Sequence, residues 1–308
     1  MSRFFLYFCL TYSFLTYAQT ESQALKDLYA KQLEEANHPL KKELKTPNLD
    51  ANASALVEKA YLLIDQSKTD ELHLLLASQE AQKIADIQLL IGVFYHDGIF
   101  YDQDYTKAAR WLEKAANQGD SKAQTLLANL YFHGKGVEKN LKKGNEWLEK
   151  ALAQNYSGAL AIQADRYYAG DSVPKNLVKA FELYQQAASD DVYAQFQLGI
   201  MYLHGDGIAQ NYTSAFKWLT KAAEQNFMNA QFDLGLMYFN GEGVKIDRAL
   251  GCKYIQLAAE QGMPTAQFAL GRIFLITKPP QYRQKAKEWF TKAANQGNEE
   301  AKMALKKL

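Results

Sequence analysis

Apolar and polar residues follow a repeating pattern from about residue 87 to residue 308. In each unit, an aliphatic residue is followed eight positions later by an aromatic residue. The units start at Ile87, Ala123, Ala159, Ala194, Ala230 and Ala266. Successive starts are separated by 36, 36, 35, 36 and 36 residues, and a further start falls at Ala301. A fixed period of this length is typical of proteins built from stacked structural repeats.

Two amphipathic helices are predicted in each unit. In the first segment Ala194, Leu198 and Met201 recur at helical spacing and share one face. The second segment carries near copies of one motif, namely WLEKAA at 111, WLEKAL at 147, WLTKAA at 218 and WFTKAA at 289. Small residues five positions after each start would let neighbouring helices approach closely. The pattern therefore predicts an all-α solenoid of antiparallel helix pairs, because one pair cannot bury its apolar face alone.

Glycine-rich segments separate the two helices of a unit, as in HGKGVEKN at 133–140, HGDGIAQN at 204–211 and NGEGVKID at 240–247. A single such loop could hold a phosphate group, but parallel copies favour a structural turn. The first glycine is expected to end the first helix in the left-handed conformation. The last residue is expected to be the N-cap of the second helix; these residues are Asp104, Asn140, Asn176, Asn211 and Asp247.

The end of each second helix carries a residue type that tolerates a positive φ angle. The equivalent residues are Gly119, Asn155, Asp191, Asn226, Gly262 and Gly297. We expect them to terminate the second helices before the next unit begins. The predicted repeats are residues 87–122, 123–158, 159–193, 194–229, 230–265 and 266–300, and residues 301–308 are predicted to form a C-terminal capping helix.

The region before the repeats differs in character. Residues 1–18 resemble a secretory signal peptide, with Arg3 before an apolar stretch and small residues before a cleavage point after Ala18. An uncleaved anchor is the alternative interpretation. Residues 19–50 are predicted to form an amphipathic helix followed by a linker. Residues 51–86 lack the repeat motifs and are predicted to form an irregular helical cap, broken near Ser67.

Composition and charge limit the classes of partner. The hydrophobic content is 48% and the formal net charge is +1, without a basic or acidic block. A nucleic acid or an anionic membrane surface is therefore not expected as the main partner. No segment after the signal peptide is long and apolar enough to span a membrane. Removal of residues 1–18 would leave Cys252 as the one cysteine, so no internal disulfide framework is expected.

No catalytic motif is recognisable in the sequence. The five histidines do not share a metal-ligand spacing, and neither a metal site nor a cofactor is predicted. His133 and His204 are expected to be solvated turn residues, and Cys252 is expected to pack as a small apolar side chain rather than to act as a reactive thiol. These observations predict that the protein is not an enzyme.

The motif A-Q-x-x-L-G-x-x-Y, then G-x-G-V, then N/D-x-x-K-A-x-x-W-L-x-K-A-A-x-Q-G resembles the Sel-one-like repeat, a relative of the tetratricopeptide repeat. The resemblance covers about residues 87–308 and is strong because the motif recurs at a fixed period. It implies a right-handed superhelix that acts as an adaptor for other proteins. The last full unit departs from the motif, because ITKPPQYR at 276–283 replaces the glycine turn.

A partner protein or peptide is expected to contact positions that vary between repeats on a concave face lined by first helices. Six positions after each start lie Val93, Asn129, Asp165, Ile200, Leu236 and Arg272. Three positions after each start lie Leu90, Leu126, Ile162, Gln197, Asp233 and Ala269. Both sets lie opposite the packing face by helical angle; the alternative is that they are merely exposed and variable.

Three phenylalanines, Phe196, Phe232 and Phe268, occupy the position two residues after the start in the last three repeats. Aromatic residues at equal repeat positions commonly belong to the core. If they are exposed, they are the best candidates for anchors of a partner.

The function that these features predict is that of an exported scaffold without catalytic activity, located in the periplasm or secreted. It would bind a protein or peptide in bacterial envelope function or in contact with a host. One alternative is an envelope hydrolase that acts on peptidoglycan or a β-lactam and uses the solenoid as its body. Another alternative is an adaptor in the lumen of the eukaryotic endoplasmic reticulum.

Overall fold

The computed structural model of the chain describes residues 51–277 and 280–308. These residues form fifteen α-helices and one short 3₁₀ helix at Ala81–Lys83, and they contain no β-strand. The α-helices are α1 (Ala51–Asp65), α2 (Thr69–Ala77), α3 (Ala85–Asp97), α4 (Tyr105–Asn117), α5 (Ser121–His133), α6 (Leu141–Ala153), α7 (Ser157–Ala169), α8 (Leu177–Ala187), α9 (Val192–His204), α10 (Tyr212–Glu224), α11 (Met228–Asn240), α12 (Arg248–Glu260), α13 (Pro264–Thr277), α14 (Pro280–Asn295) and α15 (Glu299–Lys306).

Some of the sequence-based expectations concern other parts of the chain. The signal peptide predicted at 1–18 and the helix and linker predicted at 19–50 lie outside the described residues. Residues 278 and 279, which lie in the segment predicted to replace the glycine turn of the last full repeat, lie outside them as well. The helix before this turn ends at Thr277, and the helix after it begins at Pro280.

The chain divides into two compact units, with the boundary in the sequence between Trp111 and Leu112. In the first unit, α1, α2 and α3 share a core with the 3₁₀ helix, and Ala60, Leu72 and Ile87 are completely buried in it. Ser67 adopts a φ of 53° between α1 and α2. The helix break expected near this residue is therefore confirmed.

The second unit consists of helix pairs that follow one another along the chain. The first helices of its repeats are α5, α7, α9, α11 and α13, and each packs against the second helix that follows it, respectively α6, α8, α10, α12 and α14. Each second helix also packs against the next helix in the chain, and α15 packs against α14. Because short turns connect the helices of a pair, the two run antiparallel. The predicted all-α solenoid of antiparallel helix pairs is confirmed.

The glycine-rich turns are structural, as their repetition predicts. Gly134 ends α5 with a φ of 69°, in the left-handed region that glycine adopts without steric cost. The side chain of Asn140 then accepts a hydrogen bond of 3.0 Å from the backbone N–H of Lys143, which satisfies a free donor of α6. The same cap is made by Asp104, Asn140, Asn176, Asn211 and Asp247. All five predicted N-caps are confirmed.

The predicted terminators of the second helices are confirmed with one exception. Gly119, Asn155, Asn226, Gly262 and Gly297 adopt positive φ angles. Asp191 instead has a φ of −102°, and its carboxylate caps α9 by accepting from the N–H of Ala194 at 2.7 Å. The prediction for Asp191 was wrong because the third repeat is one residue shorter, which moves its cap residue into this position.

Buried glutamines connect successive helices through a recurring set of hydrogen bonds. Gln231 donates from its Nε2 to the carbonyl of Ala223 at 3.3 Å, and its Oε1 accepts from Nε2 of Gln261 at 2.6 Å. We call this arrangement the glutamine clasp. It recurs at Gln124, Gln195 and Gln267, which accept from Gln154, Gln225 and Gln296. Each buried carboxamide of these four repeats is thereby paired at both ends.

Small residues five positions after the repeat start allow the helices of a pair to approach closely, as expected. A Cβ atom added at Gly199 would lie 2.6 Å from Cγ of Leu219 on the partner helix. Such a distance is far inside van der Waals contact, so a larger residue would push α9 and α10 apart. At the end of the chain, α15 buries Ala301 and exposes Lys302 and Lys306, as expected of a capping helix.

Candidate partner-binding site

The candidate residues six positions after each start differ in exposure along the chain. Arg272 on α13 is exposed. The other members of this set are half-buried; they are Val93, Asn129, Asp165, Ile200 and Leu236. Ile200 also packs against the core cluster around Leu219 and Leu234. The position therefore lies at the edge of the packed face and keeps partial contact with solvent, rather than lying fully opposite that face.

The residues three positions after each start are half-buried in the second unit, where the set comprises Leu126, Ile162, Gln197, Asp233 and Ala269. In the first unit Leu90 is only 2% exposed, and the expectation that it faces away from the core was wrong. The residues before the first repeat form helices of their own that pack over α3 and cover this position.

The three phenylalanines two positions after the repeat start belong mainly to the core. Phe196 and Phe232 are 2% and 4% exposed, so a partner cannot reach them as anchors. Phe196 and Phe232 are therefore core residues, and the prediction that they could contact a partner was wrong. Phe268 is half-buried; its ring lies 5.5 Å from that of Phe290, and the guanidinium of Arg272 lies 5.9 Å from its centroid. Phe268 and Arg272 therefore form one neighbouring aromatic and basic pair.

Asp165 differs from the rest of its set, because it joins a hydrogen-bond network between three helices. Its Oδ1 accepts from the hydroxyl of Tyr184 on α8 and from the hydroxyl of Tyr193 on α9, the latter at 2.8 Å. Gln197 donates in turn to the oxygen of Tyr193 at 2.5 Å. Burial raises the pKa of Asp165, and the two tyrosine hydrogen bonds oppose that shift. Asp165 thus stabilises the interior rather than presenting a free carboxylate.

Sequence reasoning missed Tyr184, although the repeat frame contains a signal for it. The equivalent positions of the other second helices carry the apolar residues Leu112, Leu148, Leu219, Ile255 and Phe290. A tyrosine at this fully buried position needs a hydrogen-bond partner for its hydroxyl. The acidic residue at position 165 of the same repeat supplies that partner. The two departures from the repeat pattern therefore compensate each other.

Asp233 contrasts with Asp165, whose carboxylate accepts hydrogen bonds from two tyrosines. The residue is half-buried, its carboxyl is closely surrounded by protein, and no side-chain or backbone donor pairs with it in the described part of the chain. Burial alone raises its pKa to about 7. A carboxyl that is surrounded by protein and still touches solvent can accept a hydrogen bond from an approaching molecule. Among the candidate residues, Asp233 is the one best placed for that role.

Tyr168 ties the third repeat to the fourth. Its hydroxyl donates to Oδ2 of Asp206, in the glycine-rich turn after α9, at 2.6 Å. Burial and this carboxylate raise the pKa of Tyr168 well above its usual range. The bond joins the turn after α9 to α7, the first helix of the preceding repeat.

The remaining histidine, cysteine and carboxylate side chains form no metal-binding cluster in the part of the chain that the structure describes. Within residues 51–277 and 280–308, no group of three or more His, Cys, Asp or Glu side chains is placed to hold a metal ion. In the same ranges, none of the helices combines the length and apolar character of a membrane span.

Cys252 is half-buried, and burial raises the pKa of its thiol. His133 and His204 are exposed at the ends of their helices, and Nδ1 of His133 lies 2.9 Å from the carbonyl oxygen of Asn129.

Comparison with protein-family models gives one family. The model of the Sel1 repeat matches six segments, at residues 85–120, 121–156, 159–191, 192–227, 229–263 and 264–298. Together these segments cover more than half of the chain. A comparison with curated proteins found no match.

Solved structures show similar folds. A Sel1 repeat protein from Oxalobacter formigenes is 27% identical with a TM-score of 0.61, and the alignment covers 77% of this chain and 96% of that one. A protective antigen present in uropathogenic Escherichia coli strains, which displays the same repeat fold, is 29% identical with a TM-score of 0.60. That alignment covers 86% of this chain and 57% of the antigen, so the chain spans little more than half of the antigen.

Proposed function

The chain belongs to the Sel1 repeat family, and from this membership we propose that it is an exported, non-catalytic scaffold that binds a protein or peptide partner. Sel1 repeat proteins are generally protein-interaction scaffolds. The partner would lie along the first helices of the second unit, in contact with the variable positions three and six residues after each repeat start.

The observation that carries this proposal is the contrast between constant and variable positions in one structural frame. Helix caps, glutamine clasps and small packing residues recur in most repeats because they stabilise the stack. The positions of Asn129, Leu236 and Arg272 keep solvent contact and change from polar to apolar to basic. Such a row of different side chains at a regular spacing suits recognition of an extended peptide or a partner helix.

Export is supported by the sequence of residues 1–18. The similarity to a protective antigen of uropathogenic E. coli supports a role in contact with a host. Cell fractionation of a C-terminally tagged chain tests this part of the proposal. We expect the tagged protein outside the cytoplasm with Gln19 at its N-terminus, and cytoplasmic protein that retains residues 1–18 would contradict it.

Site-specific photo-crosslinking in the native host tests the binding face. A benzophenone amino acid placed at Asn129, Leu236 or Arg272 is expected to capture one partner of constant mass. Matched controls carry the same group at Lys150 or Lys221, which are exposed on second helices. Equal yields from the second-helix positions, or adducts from those positions alone, would show that the first helices are not the binding face.

The proposal includes the absence of catalytic activity. Purified protein is expected to release no soluble fragments from peptidoglycan and no hydrolysed product from a chromogenic β-lactam. A reproducible turnover that disappears on replacing one carboxylate by its amide would favour the alternative of an envelope hydrolase.

A further inference from the structure

Arg166 on α7 occupies a position that is apolar in every other repeat. Seven residues after the repeat start, the other first helices carry Phe94, Leu130, Met201, Met237 and Ile273. Arg166 is nevertheless only 7% exposed. A buried arginine at a core position is costly unless its charge is compensated, so its presence requires a physical explanation.

The protein itself compensates this guanidinium only in part. Nη1 of Arg166 donates to Oε1 of Gln163 at 3.1 Å, and the guanidinium lies 4.5 Å from the centroid of the Phe132 ring. No carboxylate of the described residues lies within 4.0 Å of it. Burial lowers the pKa of Arg166, and Asp171 opposes that shift only through a longer-range interaction. Most of the five N–H donors of this guanidinium therefore remain available.

The side chain of Arg166 lines a cleft of about 340 Å³ between α6, α7 and the turn that follows α7. Gln163 shares the wall with it, and Asn145 on α6 and Ser172 in the turn add further polar groups. Leu152 contributes an apolar surface. A buried cation, neutral hydrogen-bonding groups and an apolar wall thus meet in one recess on the second unit.

We propose that this cleft binds the carboxylate of a glutamate side chain of the partner. The planar fork of the guanidinium matches the two oxygens of a carboxylate. The apolar wall would accept the methylene groups of a glutamate side chain. This inference rests on the proposed function, because it names the chemistry by which the scaffold recognises one residue of its partner.

Charge at the cleft favours a carboxylate over a phosphate. Glu149 lines the same cleft and is exposed. Its negative charge opposes an incoming anion, and it opposes a dianion more strongly than a monoanion. Arg166 is the single basic side chain among the residues that line the cleft. Asp171 also acts on Arg166 at longer range, so two carboxylates oppose an incoming anion at this one cation. This repulsion is smaller for a group with a single negative charge than for a dianion.

Binding of a small probe tests the site without knowledge of the partner. We would titrate the full chain with acetyl-glutamate amide and follow the Nε–Hε resonance of Arg166 by NMR, with acetyl-glutamine amide and inorganic phosphate in parallel. A saturable shift is expected for the glutamate probe, with a dissociation constant on the order of millimolar. The glutamine probe is expected to cause none, and phosphate is expected to bind more weakly.

Three variants separate the contribution of Arg166 from that of the neighbouring rim charge. Arg166→Met restores the residue type of the fourth and fifth repeats, so it should fold, and it is expected to weaken glutamate-probe binding at least about tenfold. Arg166→Lys keeps the charge without the fork and is expected to give intermediate binding. Glu149→Gln is expected to strengthen phosphate binding, because it removes the opposing rim charge.

The inference is overturned if wild type shows no saturable shift, or if Arg166→Met binds the glutamate probe as tightly as wild type. A tighter response to phosphate than to the glutamate probe would also overturn it in favour of a phosphate site. These outcomes are independent of the crosslinking result, since a free probe requires no partner. The carboxylate site and the scaffold function can therefore fail separately.

Discussion

The third repeat differs from its neighbours in the polar contacts that join its helices. In the second, fourth, fifth and sixth repeats, buried glutamines form a clasp between successive helices. In the third repeat Leu160 replaces the clasp glutamine, and no glutamine follows Ala188 at the end of the second helix. Polar interactions are instead concentrated at Asp165, which holds the hydroxyls of Tyr184 and Tyr193.

This difference shows which parts of the repeat frame can be exchanged. Leu160 is 6% exposed, so an apolar residue fills the clasp position without leaving a buried donor unpaired. The third repeat also carries the buried Arg166 and the cleft beside it. The repeat that lacks the glutamine clasp thus carries two charged side chains, Asp165 and Arg166, that neighbouring helices partly or almost fully cover.

The largest effect is expected from breaking the network of the third repeat. Asp165→Ala leaves the hydroxyls of Tyr184 and Tyr193 without their acceptor and should lower the free energy of unfolding by about 2–4 kcal/mol. Urea denaturation monitored by circular dichroism measures this change. Asp165→Asn keeps an acceptor oxygen and should cost about 1 kcal/mol.

A double-mutant cycle sharpens the same test. In a Tyr184→Leu background, which restores the apolar residue of the other repeats, Asp165→Ala should cost less than in wild type. Additive losses would mean that the two residues are not coupled and would contradict the compensation inferred from the structure.

The next effect concerns the glutamine clasp of the neighbouring repeats. Gln231→Leu places in the fifth repeat the residue type that the third repeat has at this position, and it removes the hydrogen bond between Nε2 of Gln261 and Oε1 of Gln231. We expect a loss of about 1–2 kcal/mol in the free energy of unfolding. Gln256→Leu, on the exposed face of α12, is the matched control and should stay within about 0.5 kcal/mol of wild type. Equal losses in both variants would show that the clasp has no specific role.

The carboxylate of Asp233 in the fifth repeat is expected to make the stability of the chain depend on pH. Asp233 has a folded pKa of about 7, above its value in an unfolded chain, so the folded chain binds this proton more tightly. Its contribution to stability is complete below about pH 4 and is lost as the pH rises toward 7.

Asp233→Asn should therefore remove part of the decline in stability between pH 4 and pH 7. We expect a difference of about 1–2 kcal/mol, because the residue keeps some contact with solvent. Denaturation midpoints of both proteins at several pH values measure it. Parallel curves for wild type and variant would show that Asp233 titrates normally.

The smallest effect is expected at the buried arginine of the third repeat. Arg166→Met replaces a partly compensated guanidinium by the residue found at Met201 and Met237. Its free energy of unfolding should stay within about 1 kcal/mol of wild type or rise slightly. A loss of more than about 3 kcal/mol would show that the arginine is a structural element and not a residue retained for binding.

The helices and turns of the repeats could be predicted closely from the sequence. The caps at Asn140, Asn211 and Asp247 and the left-handed turn at Gly134 followed from local backbone chemistry, which acts over a few residues. The exception, Asp191, came from one missing residue that shifts the register of a loop. Local rules identify the type of residue that a turn needs, but a change of length alters which residue occupies the position.

The candidate site was predictable only in part, because exposure depends on neighbouring helices. Helical angle places Asp165, Asp233 and Leu90 away from the main packing face of their own helices. In the structure Leu90 is covered and Asp165 pairs with two tyrosines, whereas Asp233 has no paired donor among residues 51–277 and 280–308. A periodic pattern describes one helix at a time and does not show what packs against its remaining faces.

The sequence by itself determined that this protein is a stack of paired helices, because a helix pair with one apolar face must bury it against the next pair. The motif that recurs at a fixed period also indicated the Sel1 repeat family. Only the tertiary structure decided which of the variable residues remain accessible. It placed Phe196 and Phe232 in the core and brought Arg166 to a cleft beside α6. The physical reason is that periodicity arises within a helix, whereas burial and pairing arise between helices that lie some thirty residues apart in the chain.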